Sequence, residues 1–267
     1  MRLLFNIGNC EIKDKVYQRD SSRAIIVKDG RVAMVHSLKY DYYKFPGGGI
    51  EADESAIEAL IRETREEAGL LINPSAIKEY GLVHRIDKLK EGGTFIQDNY
   101  YYLCDILQEK VQQKLDEYEA RENFTLEFTE AEKAINTNRY KDHGPKSRDM
   151  IEREAKVLEL LIKEGYLIKE KVLKYLENIP CGKVVTYAQI GEYLGNRHLC
   201  RAIGNILHNN PDGNRYPCYR VVNFEGRLSD NYAFGGIEAQ KEKLQKEGIK
   251  VINNTVDLKI YQYREEK

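Results

Sequence analysis

No run of eighteen apolar residues occurs in this 267-residue chain, which excludes a transmembrane helix within it. Its first residues, MRLLFNIGNCEIKDK, lack the apolar core and small-residue cleavage site of a secretory signal. Cysteine is scarce and irregular: five residues, an odd number without regular spacing, read as reduced thiols and not as a disulfide frame. No repeat and no low-complexity tract is present either. These absences point to a cytoplasmic protein without membrane contact, built of ordinary globular domains.

What is present fits two such domains. Apolar residues make up 42% and charged residues 32%, enough for buried cores under a soluble surface. The net charge of −1 conceals an asymmetry. From residue 165 onward there are 16 Lys and Arg against 12 Asp and Glu; the residues before hold 26 against 31. An acidic half suited to a metal is thus joined to a basic half suited to a polyanion.

The order of elements changes at the same place. SRAIIVKDGRVAMVHS is two β-rich runs about an Asp29-Gly30 turn, a hairpin signal. YYKFPGGGI continues the sheet into a glycine cluster, and residues 55–68 predict a helix. YGLVHRI, TFIQDNYYYLCDIL and FTLEF are further strands, with a charged loop or short helix over 109–125 and an amphipathic helix over 147–164. Beyond Gly165, three short helices follow: one stopped by Pro180, one in TYAQIGEYLG, and one ended by Pro211. The tight Gly195-Asn196 turn between the last two suggests a helix-turn-helix. The expected domains are 1–165 and 166–267.

In GGIEADESAIEALIRETREEAGL, a helical period places Leu60, Thr64, Ile57, Ala68 and Ile61 on one arc, the expected core stripe. Glu63, Glu66 and Glu67 share a neighbouring arc, where three carboxylates repel one another unless cations sit between them. Oxygen-only ligation of this kind suits Mg²⁺ or Mn²⁺, above all when substrate phosphates complete the shell. The spacing Gly48, five residues, Glu54, seven residues, Arg62-Glu63-Thr64, one residue, Glu66-Glu67, one residue, Gly69-Leu70 resembles the Nudix hydrolase signature; Thr64 stands where an aliphatic residue is more usual. The resemblance spans about 20–165. It implies an α/β/α sandwich that hydrolyses a nucleoside diphosphate linked to another group. Glu63, Glu66 and Glu67 would ligate the metal, with Glu67 or a neighbour near the attacking water. Arg62 would orient the carboxylates, and Gly48 and Glu54 would support the loop and helix. A further carboxylate from a later loop is common in that family; Glu117, Glu119 and Glu122 are the candidates. Aromatic residues of FIQDNYYYLCDI could stack on a base, but the substrate stays open between a triphosphate, a dinucleotide and a nucleotide sugar.

The second half runs IPCGKVVTY, GN, RAIG, NP and PCYRV at spacings that resemble the DNA-binding domain of the O6-alkylguanine-DNA alkyltransferases and alkyltransferase-like proteins. That resemblance implies a small, mainly helical, winged helix-turn-helix-like domain that binds double-stranded DNA through the minor groove. Tyr187 would crowd the target phosphate, Arg201 would fill the vacated stack, and Asn210 would brace the hinge. Small Ala202 and Gly204 would let the helix press into the groove. The base must leave the duplex before its substituent can be reached. Cys218 occupies the alkyl-acceptor position, and Glu247 matches the glutamate that helps draw the proton from the thiol.

One residue is missing from that relay. The position after Cys218, a histidine in active relatives, is Tyr219, and a phenol is a poor base at neutral pH. An ordinary thiol is only a few per cent ionised at pH 7. Slow or absent alkyl transfer is therefore expected, with lesion recognition as the main output. Cys181 and Cys200 read as helix-packing thiols. The alternative is a ligand-sensing transcriptional regulator that binds DNA without turnover.

Overall fold

The computed structural model describes residues 1–12, 15–89 and 92–264; residues 13–14, 90–91 and 265–267 lie outside the described residues. The chain divides into two compact units, Met1–Glu159 and Leu160–Lys267.

The first unit runs β1 (Leu3–Ile7), β2 (Val16–Gln18), β3 (Ser21–Ile25), β4 (Val27–Lys28), β5 (Arg31–Ser37), β6 (Tyr42–Lys44), α1 (Ala56–Ala68), β7 (Leu70–Lys88) and β8 (Thr94–Lys110). It continues with α2 (Glu117–Arg121), β9 (Phe124–Thr129), α3 (Ala131–Tyr140) and α4 (Arg148–Glu164), whose last turns enter the second unit. Strands β7 and β8 pair antiparallel along most of their length, with β1 parallel on β7 and β2 and β3 parallel on β8. A second sheet is centred on β5, flanked antiparallel by β4, β6 and β9. The hairpin turn between β4 and β5 holds Asp29 at φ 52° and Gly30 at φ 71°, the left-handed pair that a two-residue turn needs.

Helix α1 is delimited as its sequence dictates. The Ser55 side chain accepts the Glu58 N–H while the Glu58 carboxylate accepts that of Ser55, a reciprocal cap, and Gly69 closes the helix at φ 64°. Its buried residues are Ala59, Leu60, Thr64, Glu67 and Ala68. This corrects the expected stripe. Ile57 is 45% exposed and Ile61 only half-buried, while Glu67 turns inward, where partners await it.

A second charge pair lies deeper still. Arg153 and Glu154 of α4 have side chains 1% exposed and bond each other. The Phe45 N–H donates to Glu154 Oε2 at 3.2 Å, and Arg153 also donates to Asn99 and Gln97. Each charge is therefore satisfied, and removing one strands the other.

In the second unit, α5 (Lys169–Glu177), β10 (Val185–Thr186), α6 (Tyr187–Tyr193), α7 (Cys200–His208), β11 (Val221–Val222), α8 (Gly236–Lys246), β12 (Val251–Ile252), β13 (Thr255–Val256) and α9 (Leu258–Tyr261) follow in order. Thr186 and Gln189 cap α6 reciprocally, and Gly195 turns the chain at φ 79° before α7, giving the helix-turn-helix. Val172, Leu176, Ile190, Ile203 and Cys218 share one core; Val184, Val222, Leu244 and Val256 share another. Strands β12 and β13 form a small antiparallel hairpin, with Val256 in the second of these cores.

Glu154→Ala should lower the unfolding free energy by about 3–5 kcal/mol, because it leaves the Arg153 guanidinium buried and unpaired. Arg139→Ala, which breaks partly exposed pairs to Glu152 and Glu159, should change it by no more than about 1 kcal/mol. Urea denaturation of both variants checks the contrast.

Candidate functional site

The glycine cluster 46-PGGG-49 lies between β6 and α1, zipped to the start of β3. Ser22 N–H donates to Gly48 O and Ile50 N–H to Asp20 O, both at 2.9 Å, with an antiparallel bridge between Ser21 and Gly49. Charged side chains lie close against two of these glycines. A Cβ at Gly48 would collide with the Glu63 carboxylate, and one at Gly49 would fall 2.6–2.9 Å from the Arg19 guanidinium.

Above this loop the carboxylates of α1 are held by cations. Arg62 donates to Glu54 Oε2 at 3.0 Å, Glu63 Oε1 at 2.8 Å, Glu66 Oε2 at 3.3 Å and Gly49 O at 3.3 Å. Glu67, 1% exposed, pairs with Lys44 and accepts the Gly47 N–H at 3.1 Å. Burial pushes the Glu67 carboxyl up to about 7 against the pull of Lys44, and burial also raises Glu63 against the pull of Arg62.

The later carboxylates separate cleanly. Glu119, set by the short helix α2, lies beside Glu67 and helps raise its carboxyl. It also accepts the Asp116 N–H and the Tyr118 hydroxyl, each at 2.9 Å. Burial opposes its ionisation, but the neighbouring Glu67 carboxyl, the Asp116 N–H, Lys44 and the Tyr118 hydroxyl together outweigh it and hold Glu119 below the usual range. Glu122 is committed elsewhere, to Tyr42 and Lys146, and Glu117 is exposed with Arg121. Glu119 is thus the one of the three beside the box.

Among the described residues, no three such groups already converge on a point that could hold a metal ion. The donor chemistry nevertheless suits a hard divalent cation: Glu63, Glu66, Glu67 and Glu119 offer carboxylate oxygens, the first three held here by side-chain cations.

In the second unit a cavity of about 500 Å³ opens beside α7, lined by Tyr187, Gly204, His208, Ser229, Tyr232 and Cys218 among others. Cys218 is 4% exposed. Its sulfur accepts the Asn210 amide at 3.0 Å, and the same amide donates to Tyr216 O at 2.8 Å. Burial pushes the thiol up, only partly offset by that hydrogen bond. Tyr219 donates its hydroxyl to Glu247 Oε1 at 2.6 Å, and burial with that bond pushes its phenol up to about 12. Glu247 also takes Arg220 and the Gly182 N–H, which hold it below its usual range despite burial. Glu247 is therefore bonded directly to Tyr219.

The remaining named residues divide by helix face. Arg201 is exposed, with no carboxylate partner among the described residues, and Gly204 lies at the cavity. Ala202 is corrected: it is 2% exposed and packs inward with Ile203, Ile206 and Leu207, while Arg201, Gly204, Asn205 and His208 form the outer face at helical period. Cys181 and Cys200 are corrected too, since both are exposed and not packed. The cavity residues Ser229 and Tyr232, both from the SDNYAFGG segment, belong to none of the motifs read from sequence.

The two sites define a two-part protein: a carboxylate-helix α/β unit followed by a helix-turn-helix unit with a thiol in its cavity. Comparison with known proteins identifies both parts. Residues 18–152 match the NUDIX domain, and residues 168–249 match the 6-O-methylguanine DNA methyltransferase DNA-binding domain. A DNA base-flipping protein of Vibrio parahaemolyticus is 36% identical over 81 residues, covering 30% of this chain and 79% of that protein. Alkyltransferase-like protein 1 of Schizosaccharomyces pombe is 30% identical over 86 residues, covering 32% and 80%. A methylated-DNA–protein-cysteine methyltransferase of Shigella flexneri is 37% identical over 84 residues, and the chain spans 48% of its length. The chain belongs to the Nudix family through its first unit and to the alkyltransferase DNA-binding family through its second.

Because burial holds the Cys218 thiol above its ordinary range, its modification by a small thiol reagent should keep accelerating as pH rises from 7 to 9. Asn210→Ala should slow it at fixed pH by removing the donor that favours the thiolate. Peptide mass spectrometry at Cys218 follows both, and a plateau below pH 8 would contradict the assignment.

Proposed function

We propose that the first unit hydrolyses a nucleoside triphosphate or a nucleoside diphosphate linked to another group, and that the second binds alkylated double-stranded DNA. The hydrolytic half is supported most by the buried Glu67 beside Glu119, next to the Arg62-held pair Glu63 and Glu66. Water attacks a phosphorus, one bridging P–O bond breaks, and two phosphorylated products leave. Glu63, Glu66, Glu67 and Glu119 would hold Mg²⁺ or Mn²⁺. When bound, the ion would clamp phosphate oxygens and acidify water. Glu67, or a neighbouring carboxylate, receives the proton of the attacking water. Arg62 keeps Glu63 and Glu66 oriented, braced through Glu54, while Gly48 leaves the notch into which Glu63 fits.

For the second half the supporting observation is the cavity with Cys218 in its wall. Its volume, about 500 Å³, admits a flipped purine. Tyr187 and Arg201 would turn the nucleotide out from the minor-groove side, and the name of the base-flipping relative agrees with that reading. Alkyl transfer would form a C–S bond at Cys218 as the C–O bond to the guanine oxygen breaks. The thiol must first lose its proton, yet its hydrogen-bond partner is the donor Asn210, and Tyr219 has given its own proton to a bond with Glu247. Recognition therefore outweighs repair. The same unassisted thiol also suits a regulator that binds DNA without turnover.

Three measurements separate these readings. Hydrolysis of a nucleotide panel should cease with EDTA and return with Mg²⁺ or Mn²⁺, and Glu67→Gln should lower turnover on the order of 10²-fold or more. A regulator would show no turnover in the wild type. Incubation with a duplex carrying O6-benzylguanine should give little adduct by intact mass, none in Cys218→Ala, and faster labelling in Tyr219→His. A rapid stoichiometric adduct in the wild type would establish repair instead.

A further inference from the structure

Most cations around the carboxylate loop are already engaged. Arg62 serves Glu54, Glu63 and Glu66 at once. Lys44 is buried on Glu67, and Arg23, 9% exposed, donates to the carbonyls of Phe45 and Gly47. None of them can turn to a phosphate without leaving a buried or bridging partner unmet.

Arg19 differs. It is exposed and forms no ion pair with any described residue, although its guanidinium lies against the Cα of Gly49, within 2.6–2.9 Å of where a Cβ would stand. The placement is built, since the 20–22 and 48–50 segments are joined by hydrogen bonds at 2.9 Å immediately beside Arg19. The Gln97 amide fixes the Arg19 carbonyl at 2.8 Å. On the adjacent glycine, Gly48, the Glu63 carboxylate fills the same kind of notch. Against adjacent glycines of one loop thus lie a box carboxylate and a guanidinium that has no ion pair among the described residues. Arg62 already holds Glu63, so Glu63 does not capture Arg19.

We propose that Arg19 is a substrate-binding residue, taking the oxygens of a phosphate in the substrate's chain other than the one attacked. The guanidinium fork matches two phosphate oxygens at once, and a charge that needs no desolvation of a prior partner binds with little penalty. The inference rests on the nucleotide reading of the first unit, and it adds that the phosphate chain lies across Gly48 and Gly49 toward β2.

The test uses the full chain with magnesium present. Inorganic tripolyphosphate titrated by calorimetry probes the phosphate contact without regard to the base. Arg19→Gln should weaken its binding about tenfold, and Arg19→Lys should recover part of the loss. On any nucleotide the wild type hydrolyses, Arg19→Gln should raise KM by a similar factor and leave kcat within about twofold, the pattern of lost uniform binding. Equal tripolyphosphate affinity in wild type and Arg19→Gln overturns the proposal, as does an unchanged KM. Loss of the Arg19 effect with intact turnover condemns only Arg19; absent turnover with tripolyphosphate binding still dependent on Arg19 condemns only the hydrolytic reading.

Discussion

Glu67 is a carboxylate with 1% of its surface exposed, and a charge so placed must be met by cations and N–H donors. Lys44 from β6 and the Gly47 N–H both come to it. Much of the first unit follows from that need. Helix α1 is rotated to bring Glu67 inward, so Ile57 is left in solvent. The loop before the helix must be nearly free of side chains, because the backbone of Gly47 approaches Glu67 and the carboxylate of Glu63 fills the space at Gly48. Residues 113 and 114 are drawn over the end of the helix, where their N–H groups meet the carbonyls of Glu67 and Glu66 and lead the chain into α2.

The second unit is organised around a different shortage. Its sulfur is buried and receives a hydrogen bond from Asn210, a contact that suits a thiolate but removes no proton. Tyr219 reaches Glu247 directly at 2.6 Å, with Arg220 on the same carboxylate. The pair is well satisfied, and its satisfaction is what disconnects it from the thiol. Among the described residues, the carboxylate of Glu247 is thus bonded to Tyr219 and Arg220, while the thiol has Asn210 as its hydrogen-bond partner.

The spacing of the Nudix box and of the PCYRV segment could be read directly, because both motifs depend on residues a turn or a few residues apart. Helix starts were legible for the same reason: Ser55 with Glu58 and Thr186 with Gln189 are local caps. The facing of helices was less legible. A helical wheel groups Ile57 with Leu60, but it does not say that an adjacent glutamate has a buried lysine waiting. On α7 the wheel needed the position of the core to show that Ala202 faces it, and only Gly204 and its neighbours face outward. Nor could sequence choose among Glu117, Glu119 and Glu122, which differ only in the direction α2 and the following turn point them.

By itself the sequence determined the order of two domains and the residue types at each site, Tyr219 after Cys218 among them. These are properties of short-range spacing and residue identity, which survive any arrangement of the rest. Tertiary structure decided which charges are spent on one another and which stay free. Lys44 meets Glu67 across 23 residues and Tyr219 meets Glu247 across 28, while Arg19 meets no carboxylate among the described residues. Such pairings depend on sheet register and helix rotation, and those are settled by burial of the whole core.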